Sequence, residues 1–184
     1  VKKIALIGNS TLSKSFNNRY KESFFLETFY STGIIDKTSC ENLLANLYEY
    51  DTIVFTAGTI LDPVWEMLTL NFTVPAFIVS NLLENNFKGH FIYVGSYGSL
   101  WTSWPGINLK RLTYNISKLA ANKFMNAVTH SNIGDMSISV LNPSKFKSKM
   151  SNFEGMEVEQ VAEILKFIID SSGTIKITNL NLTK

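Results

Sequence analysis

"IALIGNSTLSKSF", residues 4–16, holds a strand, a turn and the start of a helix. Ile4 to Ile7 is a short apolar run suited to a buried strand. Gly8 ends it, and Asn9, Ser10 and Thr11 are turn and cap formers. Leu12 and Phe16 then recur four residues apart, which places both on one face of a helix. A helix that starts directly after a strand turns unpaired N–H groups and the positive end of its dipole toward whatever lies at the strand's end, a ready site for an anion.

The same alternation runs through the chain. Strands are expected at 2–8, "FFLETFYS" (24–31), "DTIVFTAG" (51–58), "HFIYVGS" (90–96), "MSISVLN" (136–142) and "TIKIT" (174–178). Helical patterns fall between them at 11–22, 39–49, 62–84, 113–131 and 157–171. Such alternation predicts an α/β fold: a three-layer, doubly wound parallel sheet of about six strands with helices on both faces. Strands such as "TIVF" are apolar without alternation, as a sheet covered on both faces requires. Only a few residues separate "FFLETFYS" from "GIID" (33–36). Parallel neighbours need a crossover of roughly a dozen residues, so "GIID" is not a parallel neighbour of the second strand. One strand and one helix of the usual nucleotide-binding half are expected to be missing. No linker or repeat divides the chain, which reads as one domain over 1–184.

Composition narrows the function classes. The chain is 45% hydrophobic and 17% charged, in the range of globular domains, and its net charge of +2 does not suggest a nucleic-acid partner. "KFKSK" (145–149) reads as a solvated loop. Cys40 is the only cysteine, which excludes an internal disulfide and fits a reducing, cytoplasmic setting. With His90 and His130 far away in sequence, no metal site is expected. "VKKIALIG" has a basic start but a short apolar run, so it is read as a first strand rather than a secretory signal. No stretch is expected to span a membrane.

The chemistry-bearing residues come next. "YNISK" puts Tyr114 and Lys118 on one helix face. A phenol has a pKa near ~10, and an adjacent ammonium lowers it, so the pair can exchange a proton with a carbonyl or alcohol oxygen. By itself the pair is weak, since the chain has seven tyrosines. "FIYVGSYGS" ends a buried strand at Ser96, whose hydroxyl can bind a substrate oxygen. "LTLNF" places Asn71 in an otherwise apolar helix. Its amide either supports a local kink or holds a water.

Taken together, these segments resemble the short-chain dehydrogenases/reductases over nearly the whole chain. "DTIVFTAG" resembles that family's Asp-hydrophobic-Asn-Asn-Ala-Gly strand, and "LTLNF" its Asn-bearing helix. "FIYVGSYGS" resembles its serine strand, "YNISKLA" its Tyr-x-x-x-Lys helix, and "ISVLNPSKFKSKM" its Pro-Gly-x-x-x-Thr segment. The resemblance implies a single NAD(P)-binding domain and hydride transfer between nicotinamide and a small carbonyl or alcohol substrate. It implies Tyr114 as general acid/base and Lys118 as the residue that lowers its pKa and holds the nicotinamide ribose. Ser96 would orient the substrate oxygen, and Asn71 would support a water. Cofactor contacts are implied at Gly8, Asn9, Ser10, Leu12, Ser13, Ser31, Asp36, Thr56, Ala57, Gly58, Tyr114, Lys118, Pro143, Ser144, Phe146 and Ser148. Asp36 would face the adenine, and Tyr97, Trp101 and Trp104 would contact substrate.

The departures concentrate at the glycine loop. Read without a gap, Leu12 and Lys14 replace its second and third glycines. With one deletion, only Ser13 stands in for a glycine, and this alignment keeps Leu12 and Phe16 inward. Phe55-Thr56 replaces the paired asparagines, and Ser144 and Ser148 replace a Gly and a Thr. The second strand ends in Tyr30-Ser31-Thr32 with no carboxylate for the ribose hydroxyls, which favours NADP over NAD. Two other readings stay open: a degenerate dinucleotide-binding or interaction module without turnover, and a sugar-nucleotide epimerase or dehydratase. In the family, helices matching 62–84 and 113–131 pair across subunits, so a homodimer or homotetramer is expected.

Overall fold

The computed structural model describes residues 1–30, 36–60, 63–100, 106–131, 134–171 and 178–183. Six parallel strands form one sheet: β1 (Lys3–Ile7), β2 (Phe25–Phe29), β3 (Thr52–Phe55), β4 (His90–Val94), β5 (Ser137–Pro143) and β6 (Asn179–Leu182). Their order is β2-β1-β3-β4-β5-β6, with parallel pairing throughout. The chain steps from β1 outward to β2, then returns to β3 on the other side of β1. That reversal opens a crevice at the carboxyl ends of β1 and β3, where ligands of such sheets bind. Among the described residues no strand lies beyond β2, which agrees with a missing strand-helix unit.

Two apolar layers hold the sheet. Ile4, Leu6, Val54, Ile92 and Leu141 point to one face, packed with Leu12 and Phe16 of α1 (Thr11–Tyr20) and Val161, Leu165 and Ile168 of α6 (Val158–Ser171). Ala5, Ile7, Ile53, Phe55, Phe91, Tyr93 and Val140 point to the other. They meet α2 (Lys37–Leu47), α4 (Val74–Glu84) and α5 (Leu109–His130). Alternate residues of the central strands thus serve opposite cores, so those strands read as unbroken apolar runs. Cys40 is a packing residue of the second layer, and burial raises its thiol pKa.

Three boundaries differ from the sequence expectation. The last strand is Asn179–Leu182, whereas 174–177 lie outside the described residues. Helix α5 begins at Leu109, because the Asn108 side chain caps it by accepting from the Arg111 N–H at 2.9 Å. The helix expected over 62–84 is three pieces: α3 (Val64–Leu68), a π-helical turn over Thr69–Thr73, and α4. By length and composition Val64–Glu84 is apolar enough to cross a membrane, contrary to expectation. Here Met67, Ile78, Val79 and Leu82 of that stretch are fully buried.

At the amino end of β4, His90 is buried and its Nε2 meets Ser139 Oγ at 2.8 Å. Burial, helped by the nearby Lys2 charge, lowers its pKa from 6.5 to about 4. The unfolded chain therefore takes up this proton first, and stability is lost as pH falls from about 6.5 through 4. This single group should cost on the order of 3 kcal/mol over that window. Urea denaturation at pH 7 and pH 4 should show a loss smaller by about that amount in His90→Gln.

Candidate active site

A cleft of about 1110 Å³ opens along the carboxyl ends of the strands. Residues following β1 (Asn9 to Leu12), β3 (Thr56, Gly58), β4 (Gly95 to Gly98) and β5 (Ser144 to Phe146) line it, with Arg111, Tyr114, Asn115 and Lys118 along one stripe of α5.

The turn after β1 needs its glycine. Gly8 has φ +117°, and a Cβ there would lie 2.6 Å from the Ala57 backbone N. The following helix starts with Ser10 as N-cap, its Oγ accepting from Ser13 N at 3.0 Å. Ser13 is buried and does not line the cleft; its hydroxyl meets Thr56 Oγ1 at 2.5 Å and Ser10 Oγ at 3.0 Å. Ser13 therefore braces the first turn of α1 against the end of β3. The main-chain N–H groups of Thr11 and Leu12 remain outside these cap bonds, at the positive end of the helix.

The π turn explains Asn71. A π turn leaves main-chain carbonyls without helical partners, and Pro75 has no N–H to return to the Asn71 carbonyl four residues back. The Tyr93 hydroxyl fills that place, donating to Asn71 O at 2.9 Å. The Asn71 side chain is fully engaged as well. Its Oδ1 accepts from Thr59 N at 2.9 Å, and its Nδ2 donates to Thr59 O at 2.8 Å and Ser117 Oγ at 3.0 Å. Asn71 therefore ties the loop after β3 to the middle of this helix and to α5.

Beside it stands the Tyr–Lys pair. Tyr114 is 7% exposed and lines the cleft together with Ser96. Burial raises its pKa above 10, and this outweighs the nearby Ser96 hydroxyl and the Arg111 charge, both of which lower it. Lys118 is 4% exposed; its Nζ donates to Val94 O at 3.2 Å and sits 4.9 Å from the centre of the Tyr93 ring. Burial lowers its pKa from 10.5 to about 7. This corrects the expectation that Lys118 pulls Tyr114 down: both groups are pushed toward their neutral forms by the same desolvation. A neutral phenol is a proton donor.

Of the other residues named from sequence, Asn9, Ser10, Leu12, Thr56, Gly58, Ser96, Tyr97, Pro143, Ser144, Phe146 and Ser148 line the cleft. Ala57 is buried behind it, against Gly8. Asp36 is not on the cleft wall; it caps α2, accepting from Ser39 N at 2.9 Å and from Ser39 Oγ at 2.8 Å. Those bonds lower its pKa, the Ser39 N–H most. Ser31, Trp101 and Trp104 lie outside the described residues. Sequence reasoning passed over Asn115 and Lys14, which also line the cleft. Asn115 could have been found from its helical spacing to Arg111 and Lys118.

The cleft suits a large anion. Lys14, Arg111, Lys118, Lys145 and Lys149 line it, and among the described residues no Asp or Glu does. Of these, Lys145 is paired with Glu154 at 3.2 Å. With the open N–H groups of Thr11 and Leu12, Lys14 on the same first turns of α1 fits the phosphates of a dinucleotide. Gly8 allows the close turn that brings them there.

No protein-family profile matches the chain, and no curated protein matches it in sequence. Solved structures do match in shape. A 3-alpha-hydroxysteroid dehydrogenase from Pseudomonas sp. complexed with NADH is 14% identical, with TM-score 0.80 over 97% of this chain and 95% of that one. BdcA in complex with NADPH is 12% identical, with TM-score 0.78 over 98% and 93%. A short-chain dehydrogenase/reductase from Vibrio parahaemolyticus is 15% identical, with TM-score 0.74 over 97% and 98%. At such identities the likeness is one of fold, and the fold of this chain is that of the short-chain dehydrogenases/reductases.

Proposed function

We propose that the protein is an NAD(P)-dependent oxidoreductase acting on a small carbonyl or alcohol substrate, with Tyr114 as the proton-transferring group. The observation that carries this reading is a buried Tyr114 and Ser96 together on the wall of a cationic, switch-point cleft. When bound, a reduced nicotinamide supplies the hydride. Ser96 and Tyr114 hold the substrate carbonyl oxygen, and the neutral phenol gives it a proton. Burial keeps that phenol protonated, the form that gives a proton in the reduction. Lys118 stands one helical turn away and Asn71 holds the loop carrying Gly58 beside it.

NADP is preferred over NAD in this reading. The carboxylate of Asp36 is committed to capping α2, and Lys14 offers a cation on the cleft wall. Calorimetric titration with NADPH and NADH tests it. NADPH should bind in the micromolar range and more tightly than NADH. If neither binds below millimolar, the oxidoreductase reading fails and a cofactor-free interaction module takes its place.

The assembly proposed is a homodimer or homotetramer through α3, α4 and α5. Trp65 is 74% exposed, Leu109 74% and Ile116 47%, a set of large apolar side chains on those helices that a partner copy would cover. Light scattering should give at least twice the 20.7 kDa chain mass, and Trp65→Ser should lower it. A wild-type monomer at micromolar concentration would refute the assembly. A reducing compartment such as the cytoplasm suits the single buried thiol.

A further inference from the structure

The wall of the cleft beside Tyr114 carries two groups with no role in the reading above. Arg111 lies one helical turn before Tyr114 on α5, half-buried, its guanidinium carbon 5.8 Å from the centre of the Tyr114 ring. Among the described residues no carboxylate is paired with it. Asn115 follows four residues later on the same stripe. It is 5% exposed and lines the cleft, and its side-chain amide has no hydrogen-bond partner among the described residues. That amide is not sealed in the interior, so a ligand in the cleft can reach it.

The charge pattern of the helix points the same way. The first turn of α5 contains no acidic residue and carries Lys110 and Arg111. Acidic side chains are the ones that stabilise this end of a helix, so cations here work against the dipole. The positive potential of Arg111 adds to that of the helix end, and it faces a cleft whose described lining residues include no Asp or Glu. The rigid fork of a guanidinium and the N–H pair of an amide match a planar carboxylate.

We propose that the substrate bears a carboxylate, bound by Arg111 and Asn115 on the wall of the cleft while its carbonyl oxygen lies at Ser96 and Tyr114. The substrate class is therefore a small oxo acid and its hydroxy acid. The carbonyl carbon gains a hydride from the reduced nicotinamide, the oxygen gains the Tyr114 proton, and the carboxylate is unchanged. The inference rests on the oxidoreductase reading for the position of the carbonyl, but it makes its own claim about binding.

The test is calorimetric binding in the presence of saturating NADPH. The probes are 2-oxobutanoate, 3-oxobutanoate and 4-oxopentanoate, each beside its methyl ester, with dihydroxyacetone and its phosphate as a separate pair. At least one acid should bind ~30-fold or more tightly than its ester, and the acid-to-ester ratio should collapse toward ~1 in Arg111→Met. Asn115→Leu should lower the ratio about tenfold, and Arg111→Lys should restore only part of it, because an ammonium lacks the fork. Circular dichroism and the melting temperature confirm that each variant is folded. Equal binding of every acid and its ester, a preference for the phosphate pair alone, or a preference that survives Arg111→Met would each overturn the proposal. Binding of NADPH with no carboxylate preference sinks this inference alone, whereas absence of NADPH binding sinks the oxidoreductase reading.

Discussion

Tyr114→Phe is expected to lower kcat/KM for carbonyl reduction by about a thousandfold while NADPH affinity stays within about threefold of wild type. The substitution removes one oxygen. The ring keeps its place beside Arg111, and only the proton-donating hydroxyl is lost. A general acid contributes roughly 10²–10⁴ in rate, which sets the size of the effect. The pH profile carries a second check. Because burial raises the Tyr114 pKa, the wild-type reduction rate should hold through neutral pH and fall only on the alkaline side. A Tyr114→Phe enzyme that keeps more than about a third of wild-type turnover would show that the phenol is not the proton donor.

Lys118→Met is expected to make the protein more stable and to abolish turnover. Among the described residues the buried ammonium has no carboxylate partner; it has one carbonyl at 3.2 Å and an aromatic face at 4.9 Å. Its pKa falls from 10.5 to about 7 on folding, so between those values the unfolded chain holds the extra proton. Below pH 7 the folded state bears the whole cost of the buried charge, and the cost vanishes as pH rises past 10.5. The full shift corresponds to on the order of 5 kcal/mol. Part of the gain from Met is offset by the carbonyl of Val94 losing its donor. A net stabilisation of about 2 kcal/mol at pH 6, shrinking toward zero near pH 10, is the expected result in urea denaturation. A destabilised Lys118→Met at pH 6 would mean that the charge is compensated in the folded state.

Much of the fold was legible because its signals are local. Short β-branched runs bounded by Gly, Asn and Ser mark the strands. Leu12 and Phe16, or Val161, Leu165 and Ile168, mark helices by spacing alone. The missing strand-helix unit could be inferred from chain length, since a parallel crossover has a minimum size. The π turn was less legible. Asn71 and Pro75 hint at an interruption, but its form depends on Tyr93 and Thr59, which approach from another strand and loop. The last described strand is Asn179–Leu182, and all of "TIKIT" but Thr178 lies outside the described residues. In the structure Asn179 and Asn181 of the strand receive the side-chain amide of Asn142 at 2.9 and 3.1 Å. Tertiary pairing of this kind holds an edge strand whose own residues have low β-propensity.

The candidate site divides along the same line. Which residues could do chemistry, Ser96, Tyr114 and Lys118, was readable from strand ends and helical spacing, because those fix which side chains share a face. Their charge states were not. From sequence, Lys118 was expected to lower Tyr114; in the fold, a common burial drives both toward neutrality, and desolvation is a property of the whole packed shell. The roles of Ser13 and Asp36 changed for a related reason. Each is a good donor or acceptor, and the nearest polar partner, Thr56 for one and Ser39 for the other, was settled by packing. By itself, then, the sequence determined the alternation of elements, the two apolar layers and the Tyr–Lys stripe, all consequences of periodicity along the chain. Only the tertiary structure decided which polar groups are satisfied, which are desolvated, and that the cleft wall is cationic with Arg111 and Asn115 left open, because those depend on what distant segments bring to the same place.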